Sequence, residues 1–234
     1  MLNNTIILKV KQRLNKLDSQ DYDNLEKWQI IEAFNKGMVD WCRRNLHGLN
    51  IVKEGDEQST RRIDDLQVLL TTTTPLLTKR GNYYETDLLP EDYLQWKRLS
   101  VSAKNDCCID PRPMKVYMTE QGNLDIVLSD KNKQPNFEWA ETCATLGGNK
   151  VQIYTDGTFE IVNPILTYYR QPRRIAIANE QDPYTFQISQ VDVESEFKDD
   201  LNELFIMEAE KIISGDLESA NQTQISTQSV ENDN

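Results

Sequence analysis

Thr71-Thr72-Thr73-Thr74-Pro75 is where the chain changes its structural code. Four β-branched residues lose side-chain freedom in a helix, and the residue before a proline is pushed out of the helical region. Upstream, apolar residues repeat with a period of about 3.6; downstream they come in short alternating runs punctuated by Gly and Pro. A helical segment gives way to a β-module at this point.

Working upstream, Ile6, Val10, Leu14 and Leu17 form one stripe of a short helix that Asn3 or Asn4 would cap. Asp18-Ser19-Gln20-Asp21 breaks it. Leu25, Trp28, Ile31, Met38, Trp41 and Cys42 then mark a long amphipathic helix from about Asp23 to Leu46. Arg43, Arg44 and His47 suit its negative C-terminal end, and Gly48 is a fitting stop. A third helix, from about Glu57 to Leu70, turns Ile63, Leu66 and Leu70 inward.

Working downstream, Trp96–Ala103, Met114–Met118, Leu124–Leu128, Val151–Tyr154 and Phe159–Val162 alternate as strands, and Ile165–Arg170 reads as another. Gly122-Asn123 and Asp156-Gly157 are turn signals. Thr155-Asp156-Gly157-Thr158 between two strand-like runs predicts a hairpin. Gly147-Gly148-Asn149-Lys150 is a turn and no phosphate loop, because a strand follows it and no helix dipole backs its amides. Helical spacing resumes at Val193, Phe197, Leu201, Leu204 and Phe205, and runs to Ile212 before Gly215 ends it.

The pattern predicts an α+β fold. An N-terminal helical bundle, residues 1–70, is closed by a C-terminal helix, residues 192–215, that packs on it. Residues 71–191 form an inserted antiparallel β-sandwich or barrel-like module. Residues 216–234 are almost wholly polar and bury too little to order themselves, so this tail is expected to order only on a partner.

Charge is distributed unevenly over this plan. The formal net charge is −12, and residues 192–234 carry 12 acids against two bases, Lys198 and Lys211. The remaining body is therefore close to neutral, which marks the acidic end-piece as an interaction element. Glu194, Glu196, Asp199, Asp200 and Glu203 are its candidate lumen-facing or partner-facing acids. No apolar run reaches the roughly 18 residues that span a bilayer, and Met1-Leu2-Asn3-Asn4 lacks the features of a secretion signal. Synthesis in a reducing cytoplasm is expected.

No enzyme signature emerges. The chain has no G-x-S-x-G, no H-E-x-x-H and no G-x-x-x-x-G-K-[ST], and carboxylate pairs such as Asp64-Asp65 diverge by about 100° on a helix. Cys42, Cys107, Cys108 and Cys143 lack C-x-x-C spacing, and the single His47 completes no zinc set. No catalytic residue, metal or cofactor is assigned. Arg43-Arg44, Arg61-Arg62 and Arg170 to Arg174 are short basic clusters. Tyr168 and Tyr169 beside Arg170, Arg173 and Arg174 could stack and contact phosphates. At a pI near 4.7, interfaces between subunits suit these residues better than a nucleic-acid footprint. Trp41, Arg43, Arg44, Arg61, Arg62, Tyr93, Tyr168, Tyr169, Arg170, Arg173 and Arg174 are the candidate subunit-interface set.

Several stretches resemble known virion proteins. Leu17 to Asn24 running into Trp28 to Asn35, Asp40-Trp41-Cys42-Arg43-Arg44, Glu54 to Ser59 and Arg61-Arg62-Ile63-Asp64-Asp65-Leu66 resemble a ring protein of crAss-like bacteriophages. Asp87-Leu88-Leu89-Pro90-Glu91-Asp92-Tyr93-Leu94 before the β-module and Thr167-Tyr168-Tyr169-Arg170-Gln171-Pro172 near its end are similar to podovirus head-to-tail adaptors. The resemblance implies a structural virion protein at the head–tail junction, a homo-oligomeric ring of about twelve copies. Its implied partners are the portal protein and neighbouring tail rings, with phage DNA passing through unbound. It implies no membrane and no cofactor. Alternative roles are a ligand- or host-binding tail module and a nucleic-acid accessory protein.

Overall fold

The fold is seen in a computed structural model that describes residues 1–14, 25–47, 64–105, 108–181 and 188–216. Leu17, the Asp18–Asp21 break, Gly48, Arg61, Arg62, Ile63, Cys107 and the tail beyond Asp216 lie outside the described residues. The chain divides into two compact units, Met1–Leu69 with Pro172–Asn234, and Leu70–Gln171. It is α+β, with helices in the first unit and a curled, barrel-like sheet in the second. Residues 172–191, expected in the β-module, group with the helices instead.

The helical unit is built on α1 (Asn3–Leu14) and α2 (Lys27–His47). Helix α1 buries Ile6, Ile7, Val10 and Leu14; α2 buries Ile30, Phe34, Met38, Trp41 and Cys42. The C-terminal helix runs from Asp199 to Asp216 and buries Leu201, Phe205, Ile206, Ala209 and Ile213. It does close the helical unit. The Phe205 ring takes Phe34, Trp41 and Phe197 edge-on, with centroids 5.8, 5.4 and 5.1 Å away, a favoured aromatic geometry.

Three local expectations are corrected here. Asn3 caps nothing, because the Leu2 carbonyl accepts the first helical bonds. Its amide instead donates to the carbonyls of Ala176 and Val193, at 2.8 and 3.2 Å. The C-terminal helix starts later than Val193, which is held in an antiparallel bridge with Ala176, and it continues through Gly215 to Asp216. Leu70 does not point inward from a helix. The helical turn passes into a 3-10 turn, Gln67–Leu69, and Leu70 opens strand β1 with 44% of its surface exposed.

The sheet unit has eight strands: β1 (Leu70–Thr73), β2 (Leu77–Arg80), β3 (Tyr83–Thr86), β4 (Tyr93–Asn105), β5 (Cys108–Met118), β6 (Glu141–Gly147), β7 (Lys150–Tyr154) and β8 (Glu160–Arg170). They form one sheet in the order β1-β8-β4-β5-β6-β7-β3-β2. All neighbours are antiparallel except β5 and β6, so the expected purely antiparallel sheet is a mixed one. The first and last strands pair, Leu70 opposite Tyr169, so the chain enters and leaves the module side by side. That is the topology of an insertion. Leu99, Val101, Ala103, Met114, Val151, Ile153, Phe159, Ile161, Leu166 and Tyr168 face one core.

The predicted Thr155–Thr158 hairpin is absent. Strands β7 and β8 stand four places apart in the sheet, because β7 already pairs with β6 and β3, and β8 with β1 and β4. Side chains hold the turn instead: Asp156 Oδ1 accepts from the Thr158 amide at 2.8 Å, and Thr155 Oγ1 donates to the Phe159 carbonyl at 3.0 Å. In a flat sheet the two strands would lie about 19 Å apart, close to the ~21 Å that the link could span if fully extended. A link containing a turn cannot reach that far, so the sheet curls. The Gly148-Asn149 turn does make a two-residue hairpin between β6 and β7, both residues at positive φ, 59° and 58°.

Leu124–Leu128, expected as a strand, is part of a helix, α3 (Leu124–Ser129). Leu124, Val127 and Leu128, spaced at i, i+3 and i+4, pack on Cys143 and Tyr154, while Ile126 is 67% exposed. Six residues are too few to separate a period of two from one of about 3.6.

Candidate interaction surfaces

The two adaptor-like motifs meet inside the sheet unit. Tyr93 opens β4 directly after Asp92, and Tyr168 to Arg170 end β8, with Tyr93 in register with Arg170. The Tyr168 hydroxyl donates to Asp92 Oδ1 at 3.0 Å, and the Gln171 amide donates to the Asp92 carbonyl at 2.6 Å. The Tyr93 and Tyr168 rings lie 5.6 Å apart. Burial and the Asp92 carboxylate push the Tyr168 hydroxyl up to about 12, and burial raises that of Tyr93. The motif residues form a clasp where the inserted module returns to the chain.

This placement removes several candidates from the surface. Tyr168 and Tyr169 are buried, so neither ring is open to stack beside Arg170. Lys97 Nζ covers Tyr169, 5.9 Å from its ring centre. Trp41 is buried against Phe205 and belongs to the core. Arg44 pairs with the buried Glu208 carboxylate. Arg170 is half-buried and donates to the Gln171 carbonyl at 3.2 Å. Arg174 pairs with Glu32. Arg43, Arg173 and Arg174 remain exposed, and Tyr93 is half-buried.

The candidate acids divide in the same way. Glu203 pairs with Lys9 and lies 3.8 Å from Arg13. Arg13 also lies 3.6 Å from Glu210. Asp199 lies 3.0 Å from the Met1 amino group, and Glu196 accepts from the Arg173 amide at 2.9 Å. The acidic helix is therefore neutralised largely by the basic side of α1 and the end of α2. Its acids do not form an open face, as charge counting had suggested. Glu194, Asp199 and Asp200 are exposed.

Sequence reasoning missed two features. Asn35, buried on α2, donates to the Ile175 carbonyl at 3.1 Å and accepts from its amide at 2.9 Å, so a helix side chain acts as a strand edge. Beside it lies a cleft of about 330 Å³ lined by Trp28, Ile31, Ile175, Ile177 and Ile188, with the Glu32–Arg174 pair on its wall. The second feature is a groove of about 540 Å³ on the sheet unit, between Arg98, Lys115, Met114 and Trp139. Trp139 is 53% exposed on a tight loop, its amide donating to Asn136 Oδ1 at 3.1 Å. The following residue, Ala140, has φ of 55°, which non-glycine residues seldom adopt. Only a tryptophan outside any periodic run marked this site in the sequence. Among the described residues, no helix is long and apolar enough to cross a membrane.

A scan against protein-family models finds no match, and a search of curated proteins finds none either.

Proposed function

We propose that this chain is a structural virion protein that forms an oligomeric ring joining the portal of a phage capsid to its tail, with the bore serving as a DNA conduit. The observation that carries the reading is the clasp. The two motifs behind the adaptor resemblance, 76 residues apart in sequence at their linking bond, are direct structural partners where an inserted β-module meets its chain ends. Coherent placement of separate motifs is what a shared architecture predicts, whereas chance matches would scatter. A ring subunit also needs side-to-side contacts, and the exposed Trp139, Arg98 and Arg43 are residue types that favour them.

Native mass spectrometry of the chain co-expressed with its portal protein, together with cryo-electron microscopy of the phage particle, tests this reading. A ring of fixed copy number at the head–tail junction is expected. A chain that stays monomeric with the portal present, and is missing from the particle, overturns it. A ligand-recognising β-module is the second reading, favoured by the open groove at Trp139. A stable monomer that binds a ligand there would select it.

A further inference from the structure

The groove at Trp139 and an exposed segment elsewhere in the same chain are chemical complements. On the groove side, Arg98 is exposed and its guanidinium has no hydrogen bond or ion pair among the described residues. Lys115 stands across the strand pair, with its ammonium 4.6 Å from the centre of the Tyr117 ring and 3.8 Å from Glu141. Ile165, Ser100, Lys115 and Glu141 lie in one cross-strand row over β8, β4, β5 and β6. Tyr117, Trp139 and Ile165 are 43, 53 and 42% exposed. Exposed rings beside an unpaired guanidinium ask for an occupant that is apolar and anionic.

Residues 188–194 of the helical unit, Ile-Ser-Gln-Val-Asp-Val-Glu, have that composition. Ile188 and Val191 are 60 and 67% exposed, and Glu194 is exposed with no partner among the described residues. The segment is pinned at its ends by antiparallel bridges, Gln181 with Ile188 and Ala176 with Val193, so little ordering entropy remains to be lost on binding. The Asn3 amide fixes the Val193 carbonyl further. A pre-ordered, apolar and acidic arm is an unusual surface to leave in water.

We infer that segment 188–194 of one copy docks in the Trp139 groove of the next, Val191 covering the Trp139 ring and Glu194 meeting Arg98. Each subunit then offers an arm on one unit and a groove on the other. Such a head-to-tail contact repeats around a ring until it closes. The inference rests on the ring reading and supplies its side-to-side contact.

A photo-crosslinking residue in place of Trp139, in a mixture of isotope-labelled and unlabelled full-length chains, tests it. The expected product joins position 139 of one copy to residues 188–194 of the other. Arg98→Glu should lower its yield about tenfold, the scale of turning one pair from attraction to repulsion, and Glu194→Arg in the same chain should restore it. Both positions are exposed, so far-UV circular dichroism should be unchanged and a folding failure is separable. If copies associate but the cross-link maps elsewhere, this inference falls and the ring reading stands. If no intermolecular product forms although copies associate, this inference falls alone; if the chain also stays monomeric with the portal present, both fall. Loss of the product when single-stranded DNA is added, with cross-linking to the DNA itself, would give the groove to nucleic acid and overturn the inference.

Discussion

A missing methyl group sets the distance between two helices. A Cβ added at Gly37 on α2 would lie 2.8 Å from Glu208 Cβ on the C-terminal helix, and Glu208 Cβ is fixed by its own backbone. Alanine would favour the helix by about 1 kcal/mol, but the clash outweighs that gain. Gly37→Ala should destabilise the protein by about 1–3 kcal/mol, the usual cost of overpacking, seen as a lower urea midpoint with unchanged slope. Asn35 is the second decisive residue. Asn35→Ala leaves both polar groups of the Ile175 peptide without their buried partner, at about 1–3 kcal/mol. Hydrogen exchange should show the Ile175 amide losing protection ahead of the α2 core.

Among the elements, the acidic C-terminal helix and its basic neighbours act as a pair. Glu208 is nearly buried and meets Arg44, while Glu203 and Glu210 share Arg13. Removing Arg44 strands the buried Glu208 carboxylate, so Arg44→Leu should cost about 3 kcal/mol, Glu208→Leu should cost less because the guanidinium it leaves is partly solvated, and the double substitution should recover most of the Arg44→Leu loss. Chemical denaturation of the four members of that cycle measures the coupling. A coupling energy near zero would mean that solvent already serves both charges. Salt should have little effect on this pair and more on the half-exposed Lys9–Glu203 pair.

At the scale of the whole molecule, three buried groups hold their protons in both units. Burial pushes the Cys42 thiol up to about 12 and the Cys143 thiol to about 11, while Tyr168 is pushed up to about 12. A folded-state value above the unfolded one contributes stability that is intact below the unfolded value and fades as pH rises. The unfolded thiols titrate near 9.0 and the unfolded tyrosine near 10.0. The thermal midpoint should therefore decline from about pH 9 and continue to fall toward 12. Both thiols should also resist alkylation at neutral pH in the native protein and react once it is unfolded, as mass spectrometry would show.

The sequence alone determined what is local. A tetra-threonine before Pro75 stops a helix whatever surrounds it, and Ile31, Met38 and Cys42 mark an inward stripe because helical spacing puts them on one face. The Gly148-Asn149 turn was legible because a two-residue loop with positive φ selects those residues. Tertiary structure decided what depends on neighbours far along the chain. Asp156-Gly157 specified a turn, but pairing of β7 and β8 was lost to strands that already filled their edges. Tyr168 and Trp41 looked like surface anchors, and packing drew both inside. The acids of the last helix read as an open charged face until folding set bases from the first helix against them. Backbone preference acts over a few residues and is written in their order. Burial, pairing and neutralisation depend on which distant residue arrives alongside, and only the assembled fold fixes that.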